Sequence, residues 1–162
     1  LVKEFDYSIV VVDDDELIRE LVKNGLSQEK CRITQAENGA KVLQYLEKTK
    51  RYSLLTKPDL IVLDVNMPDI SGFEVLERLK SDPEFQAIPV IMLTRRDEDE
   101  SVMKAYSSGA VDYITKPFKA PELATRIMSA LKRDRKKILI ADDDELIGDL
   151  LSLDQEICIE RW

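Results

Sequence analysis

Apolar runs and amphipathic stretches alternate along the chain in a way that predicts repeated strand–helix pairs. Residues 9–12 (IVVV) form a short β-branched run of the kind that fills a strand covered on both faces. Residues 16–26 then place Leu17, Ile18, Leu21 and Val22 at helical spacing and close at Asn24-Gly25. Residues 31–36 predict a second strand, after which Asn38-Gly39 turns into a helix through Val42, Leu43 and Leu46. A third strand is expected over 60–65, followed by a helix over 72–80 that carries Phe73, Val75, Leu76 and Leu79. The pattern continues with a strand over 90–94, a helix over 97–107, a strand over 111–115 and a helix over 119–133. Pro121 falls in the first turn of that last helix, where its missing N–H costs nothing.

Strands that each lead into a helix imply right-handed crossovers and a parallel sheet with helices on both faces. In such doubly wound α/β sheets, function gathers beyond the carboxyl ends of the strands. Polar residues do stand just past those ends: Asp13 and Asp14 after the first, Asp64 after the third, Thr94 after the fourth and Lys116 after the fifth.

The chemistry open to this set follows from charge. Three carboxylates converging at strand ends repel one another and resist ionising together, and a divalent cation resolves the conflict. Oxygen-only ligands with room for water suit Mg2+, commonly held by one or two carboxylates together with phosphate oxygens. A lysine neutralises a phosphoryl oxygen and a threonine hydroxyl donates to another. A carboxylate nucleophile, Mg2+, Lys and Thr together make a site for phosphoryl transfer onto Asp.

Composition narrows the classes. The chain has 162 residues, 44% apolar and 35% charged, which suits a folded α/β domain with a remainder. A net charge of −8 argues against a nucleic-acid-binding face on this fragment. No apolar run approaches the roughly 20 residues that span a bilayer, so no membrane partner is expected. Cys31 and Cys158 are too few and too far apart for a disulfide framework, which points to a reducing, cytoplasmic setting. The absence of histidine removes His-based nucleophiles, His metal ligands and any phosphohistidine residing on this chain. The first residue is Leu, and a longer parent polypeptide is expected.

The segments VVVDDDELIR, PDLIVLDVNMPDISGFEVL, IPVIMLT and GAVDYITKPF, in this order, resemble the response-regulator receiver domain of two-component signalling. The resemblance implies a flavodoxin-like (βα)5 fold with strand order 2-1-3-4-5, a topology the general rule for doubly wound sheets already illustrates with a member of this family. It also implies roles. Asp64 becomes the phosphoacceptor, Asp14 a direct Mg2+ ligand, Asp13 a ligand through water, and Asn66 a ligand through its backbone carbonyl. Thr94 and Lys116 bind phosphoryl oxygens, with Lys116-Pro117 in a cis linkage. Tyr113 matches the family's switch aromatic, so that phosphorylation draws Thr94 inward and biases the surface of the fourth helix, fifth strand and fifth helix. The implied partner is a histidine kinase or a histidine phosphotransfer protein. Asp15 is read only as an N-terminal helix residue. Arg95 stands where the family usually has a small residue, and an altered acyl-phosphate lifetime is expected from it.

The tail repeats the head. Residues 137–151 (KILIADDDELIGDLL) match residues 8–22 at eight of fifteen positions. The expected organisation is therefore a receiver over 1–131, a basic linker or helix end over 132–137, and an incomplete second receiver over 138–162 made of strand, helix and strand. Asp142 and Asp143 align with Asp13 and Asp14, but no counterpart of Asp64, Thr94 or Lys116 follows. A lone strand at 138–140 needs cover, which suggests a homodimer through the tail, in its sharper version by exchange of equivalent elements. Two other functions fit parts of the pattern: a phosphorylation-independent interaction module, and a haloacid-dehalogenase-like phosphatase using Asp13. The receiver reading makes the chain a signalling switch that assists its own phosphorylation rather than a conventional enzyme.

Overall fold

A computed structural model describes residues 5–95, 103, 104 and 106–151, with side chains described as far as Lys136. The strands are β1 (Tyr7–Val12), β2 (Cys31–Ala36), β3 (Leu60–Asp64), β4 (Val90–Arg95) and β5 (Asp112–Lys116). They form one parallel sheet in the order β2-β1-β3-β4-β5, as the resemblance implies. Helices α1 (Glu16–Gly25), α2 (Gly39–Arg51) and α3 (Gly72–Ser81) separate the first four strands, and a C-terminal helix spans Ala120–Leu151. Of the helix expected over 97–107, the described residues 103, 104, 106 and 107 are helical; the remainder lies outside the described residues.

Side chains of a strand alternate between faces, so each apolar run supplies two cores at once. Val10, Val12, Ile61 and Leu63 pack with Val42 and Leu46 of α2 and with Val75 and Leu79 of α3. Ile9, Val11, Val62 and Leu93 pack on the other face with Val22 of α1 and with Leu123 and Ile127 of the C-terminal helix. Both layers of helices thus rest on a sheet whose central strand, β3, is wholly buried.

Local chemistry fixes where the helices begin. Asp15 caps α1 by accepting from the Leu17 N–H, Asn38 caps α2 from Lys41, and Ser71 caps α3 from Glu74. Gly109, at φ +94°, ends the turn before β5 in a conformation that side chains disfavour.

One expectation fails. The C-terminal helix runs on to Leu151, so the stretch 132–137 is helical and no strand forms over 138–140. A strand needs neighbours to bond its N–H and C=O groups, whereas a helix satisfies them within itself. The second strand expected near the end lies in 152–162, outside the described residues.

Candidate functional site

The site is assembled at the carboxyl ends of β1, β3 and β5. Asp13 leaves β1 with every polar group engaged: its N–H donates to the Ala36 carbonyl (3.2 Å), and its own carbonyl accepts from Arg19 Nη1 (2.7 Å). Its Oδ1 accepts from the Asp15 N–H (2.9 Å) and its Oδ2 from Lys116 Nζ (2.7 Å). The Asp13 carboxylate is entirely buried, and Asp64, the last residue of β3, is 3% exposed. Lys116, the last residue of β5, also donates to Asp64 Oδ1 at 3.1 Å. Asp14 stands exposed at the mouth. One carboxylate oxygen from each of Asp13, Asp14 and Asp64 falls within 4.8 Å of the others.

This arrangement is electrostatically frustrated. Burial, followed by the charge of Asp13, pushes the Asp64 carboxyl up to about 6, although Lys116 and the Asn66 backbone N–H favour the ionised form. Burial pulls Lys116 downward, but the hydrogen bond it donates to Asp13 and the charges of Asp64 and Asp13 outweigh it, so its ammonium is held more firmly than usual. A single ammonium among three carboxylates leaves net negative charge at a site where Asp13 and Asp64 are buried. An oxygen-only donor set with that surplus fits a hard divalent cation such as Mg2+.

Thr94 adds a second mark of an incomplete site. Its residue is 1% exposed and its hydroxyl has no hydrogen-bond partner among the described residues. Buried hydroxyls are ordinarily satisfied, which sets this one, next to the last residue of β4, apart. Tyr113 lies half-buried with its ring edge-on to Tyr106, centroids 5.2 Å apart at 86°. Arg126 of the C-terminal helix donates to the Tyr113 carbonyl at 2.7 Å. Arg95 is exposed and pairs in register with Lys116. Asp15 serves α1 as its cap, as expected, and the Lys116-Pro117 bond is cis.

A sequence profile of the response regulator receiver domain matches residues 9–128. The chain belongs to that family. It is 37% identical over 126 residues to the phosphate regulon transcriptional regulatory protein PhoB of Pseudomonas aeruginosa, covering 78% of this chain and 52% of that protein. It is 33% identical over 140 residues to the DNA-binding dual master transcriptional regulator RpaA of Synechocystis, covering 86% and 55%. The receiver domain of NtrX from Brucella abortus superposes with a TM-score of 0.67 at 30% identity, covering 76% of this chain and 98% of that one. The receiver thus spans little more than half of either curated relative. Receiver domains are signalling modules of two-component systems that bind Mg2+ at an acidic pocket, and here Asp13, Asp14 and Asp64 form such a cluster. Among the described residues no helix is long and apolar enough to cross a membrane.

Three parts of the site escaped the sequence reading. Gly72 lets α3 start against the end of β3: a Cβ there would sit 2.1 Å from the Asp64 carbonyl oxygen, and the Gly72 N–H donates to Val65. Asp69 fastens the loop after Asp64 to α2, accepting from the Gly39 and Ala40 N–H groups at 3.2 and 2.9 Å. Arg19 grips the Asp13 carbonyl. Gly72 was foreshadowed by Ser71-Gly72 ahead of an apolar helix, whereas Asp69 and Arg19 act across 30 and 6 residues and left no local signal.

Proposed function

We propose that this receiver accepts a phosphoryl group on Asp64 from a histidine kinase or histidine phosphotransfer protein and signals through the resulting change at its surface. The observation that carries the reading is Lys116 Nζ bridging Asp13 and Asp64 beside Asp14, at the ends of three different strands. A bound Mg2+, held by Asp13, Asp14, Asp64 and the Asn66 carbonyl, would supply charge neutralisation for incoming phosphoryl oxygens. An Asp64 carboxylate oxygen bonds to phosphorus as the bond from phosphorus to the donor imidazole breaks, and the imidazole leaves with the electron pair. Lys116 is placed to move from the carboxylates to a phosphoryl oxygen, and the orphaned Thr94 hydroxyl to donate to another. Recruitment of Thr94 would loosen the half-buried Tyr113 and alter the face shared by β5, the C-terminal helix and the segment around Tyr106. Arg95, exposed beside Lys116, is read as a modulator of phosphoryl lifetime.

Incubation with acetyl phosphate and Mg2+ tests this reading. Intact-mass analysis should show one added phosphoryl group, absent without Mg2+ and absent in Asp64→Asn. Labelling that survives Asp64→Asn but disappears in Asp13→Asn would instead support the phosphatase-like chemistry. Partner affinity that stays equal with and without beryllofluoride and Mg2+ would make the domain a constitutive binding module.

A further inference from the structure

Arg19 lies outside the carboxylate cluster, yet it holds the turn that carries it. The guanidinium fork works in two directions: Nη1 donates to the backbone carbonyl of Asp13 at 2.7 Å, and Nε donates to Gln35 Oε1 on β2 at 3.1 Å. Gln35 is itself oriented, since its Nε2 donates to Glu20 Oε1 on α1 at 2.8 Å. The carbonyl that Arg19 holds belongs to the rigid peptide plane joining Asp13 to Asp14. Turning that plane rotates the start of Asp14 and swings its carboxylate away from Asp13 and Asp64. The N–H on the other side of Asp13 is pinned to Ala36 of β2, so one edge strand and one helix share control of the turn.

We infer that Arg19, braced by Gln35, is a positioning residue for divalent-cation binding: it fixes the peptide plane from which Asp14 projects and so sets the affinity of the carboxylate cluster for Mg2+. The inference rests on the reading of that cluster as a cation site. It applies to the first acidic run alone, because the repeat has Gly148 where the first copy has Arg19.

The sign of the effect separates positioning from simple electrostatics. Arg19 contributes positive charge near the cluster, so by Coulomb's law alone its removal would tighten Mg2+ binding. Loss of orientation does the opposite. Groups that orient metal ligands typically change affinity tenfold or more, and an arginine acting through the backbone belongs at the lower end, roughly tenfold.

The experiment is calorimetric titration of Mg2+ into the metal-free full chain, with urea unfolding in EDTA run alongside. Arg19→Ala should weaken Mg2+ binding roughly tenfold while remaining cooperatively folded. Gln35→Ala should weaken it less but in the same direction. Arg19→Lys should recover only part of the loss, since one ammonium cannot span both acceptors. Unchanged or tighter Mg2+ binding in both Arg19→Ala and Gln35→Ala overturns the inference. If Arg19→Ala fails to fold, unchanged affinity in Arg19→Lys and Gln35→Ala overturns it equally. A wild-type chain that takes no Mg2+ defeats the cation-site reading and this inference with it, whereas wild-type binding with unaltered variants defeats the role of Arg19 alone.

Discussion

The metal-free site should destabilise the fold, and removing one negative charge should reveal by how much. In the structure the Asp64 carboxyl is lifted from 3.8 to about 6 by burial and by Asp13. Below pH 3.8 the folded and unfolded chains both hold this proton, and Asp64 leaves stability unchanged. As pH rises from there to about 6, the unfolded chain releases the proton first, so folding loses free energy over that window. At neutral pH the full penalty is about 3 kcal/mol, taking about 1.4 kcal/mol for each tenfold change in proton affinity. Asp64→Asn removes the charge while keeping an acceptor for Lys116, but its amide hydrogens need partners of their own, which offsets about 1–2 kcal/mol. A net gain of roughly 1–2 kcal/mol is expected in EDTA at pH 7.5, or about 2–8 °C in Tm. The advantage should shrink as the pH is lowered, vanish near about pH 5 and turn into a deficit of about 1–2 kcal/mol near pH 4, where only the amide cost remains. Added Mg2+ should reverse or narrow the order, because it stabilises only the folded chain that retains its ligand. Scanning calorimetry of both proteins from pH 4 to 8, with EDTA and with Mg2+, measures this directly. An Asp64→Asn protein that melts at or below the wild type in EDTA at pH 7.5 would refute the claim that the pocket is frustrated.

The opposite substitution should have the opposite effect. Lys116→Met strands the wholly buried Asp13 carboxylate without its cation, and urea unfolding in EDTA should show a loss of about 3–5 kcal/mol, partly restored by Mg2+. Gly72→Ala forces a methyl group to within 2.1 Å of the Asp64 carbonyl unless α3 shifts, and a loss of about 1–3 kcal/mol should appear in thermal melts both with and without Mg2+. Cys31, buried and raised to about 11 by burial and by Glu29, Asp59 and Asp6, should resist iodoacetamide at pH 7.5, with peptide mapping finding it modified only after denaturation.

The sequence by itself determined a great deal. β-branched runs placed β1, β3 and β4 because a strand covered on both faces must be apolar at every position. The Asn38-Gly39 turn marked the start of α2, apolar spacing marked α1, and strand–helix alternation led to a parallel sheet, while the capping bonds of Asp15 and Asn38 appear only in the structure. Asp13, Asp14, Asp64, Thr94 and Lys116 stood out because each stands at or just past a strand end, and the topology brings the carboxyl ends of β1, β3 and β5 together. The tail shows the limit of such reading. Its first residues repeat a strand pattern, but a parallel strand is decided by neighbours that a local pattern does not encode, and among the described residues the C-terminal helix continues instead. What only the tertiary structure decided is how the pocket is held and charged. Arg19, Asp69 and Gly72 act through backbone groups of residues that the fold brings close. The raised proton affinity of Asp64 exists only where folding has stripped its water and set Asp13 beside it. Local pattern records which face of an element is apolar, whereas the proximity of distant backbone and the removal of solvent arise only when the elements pack.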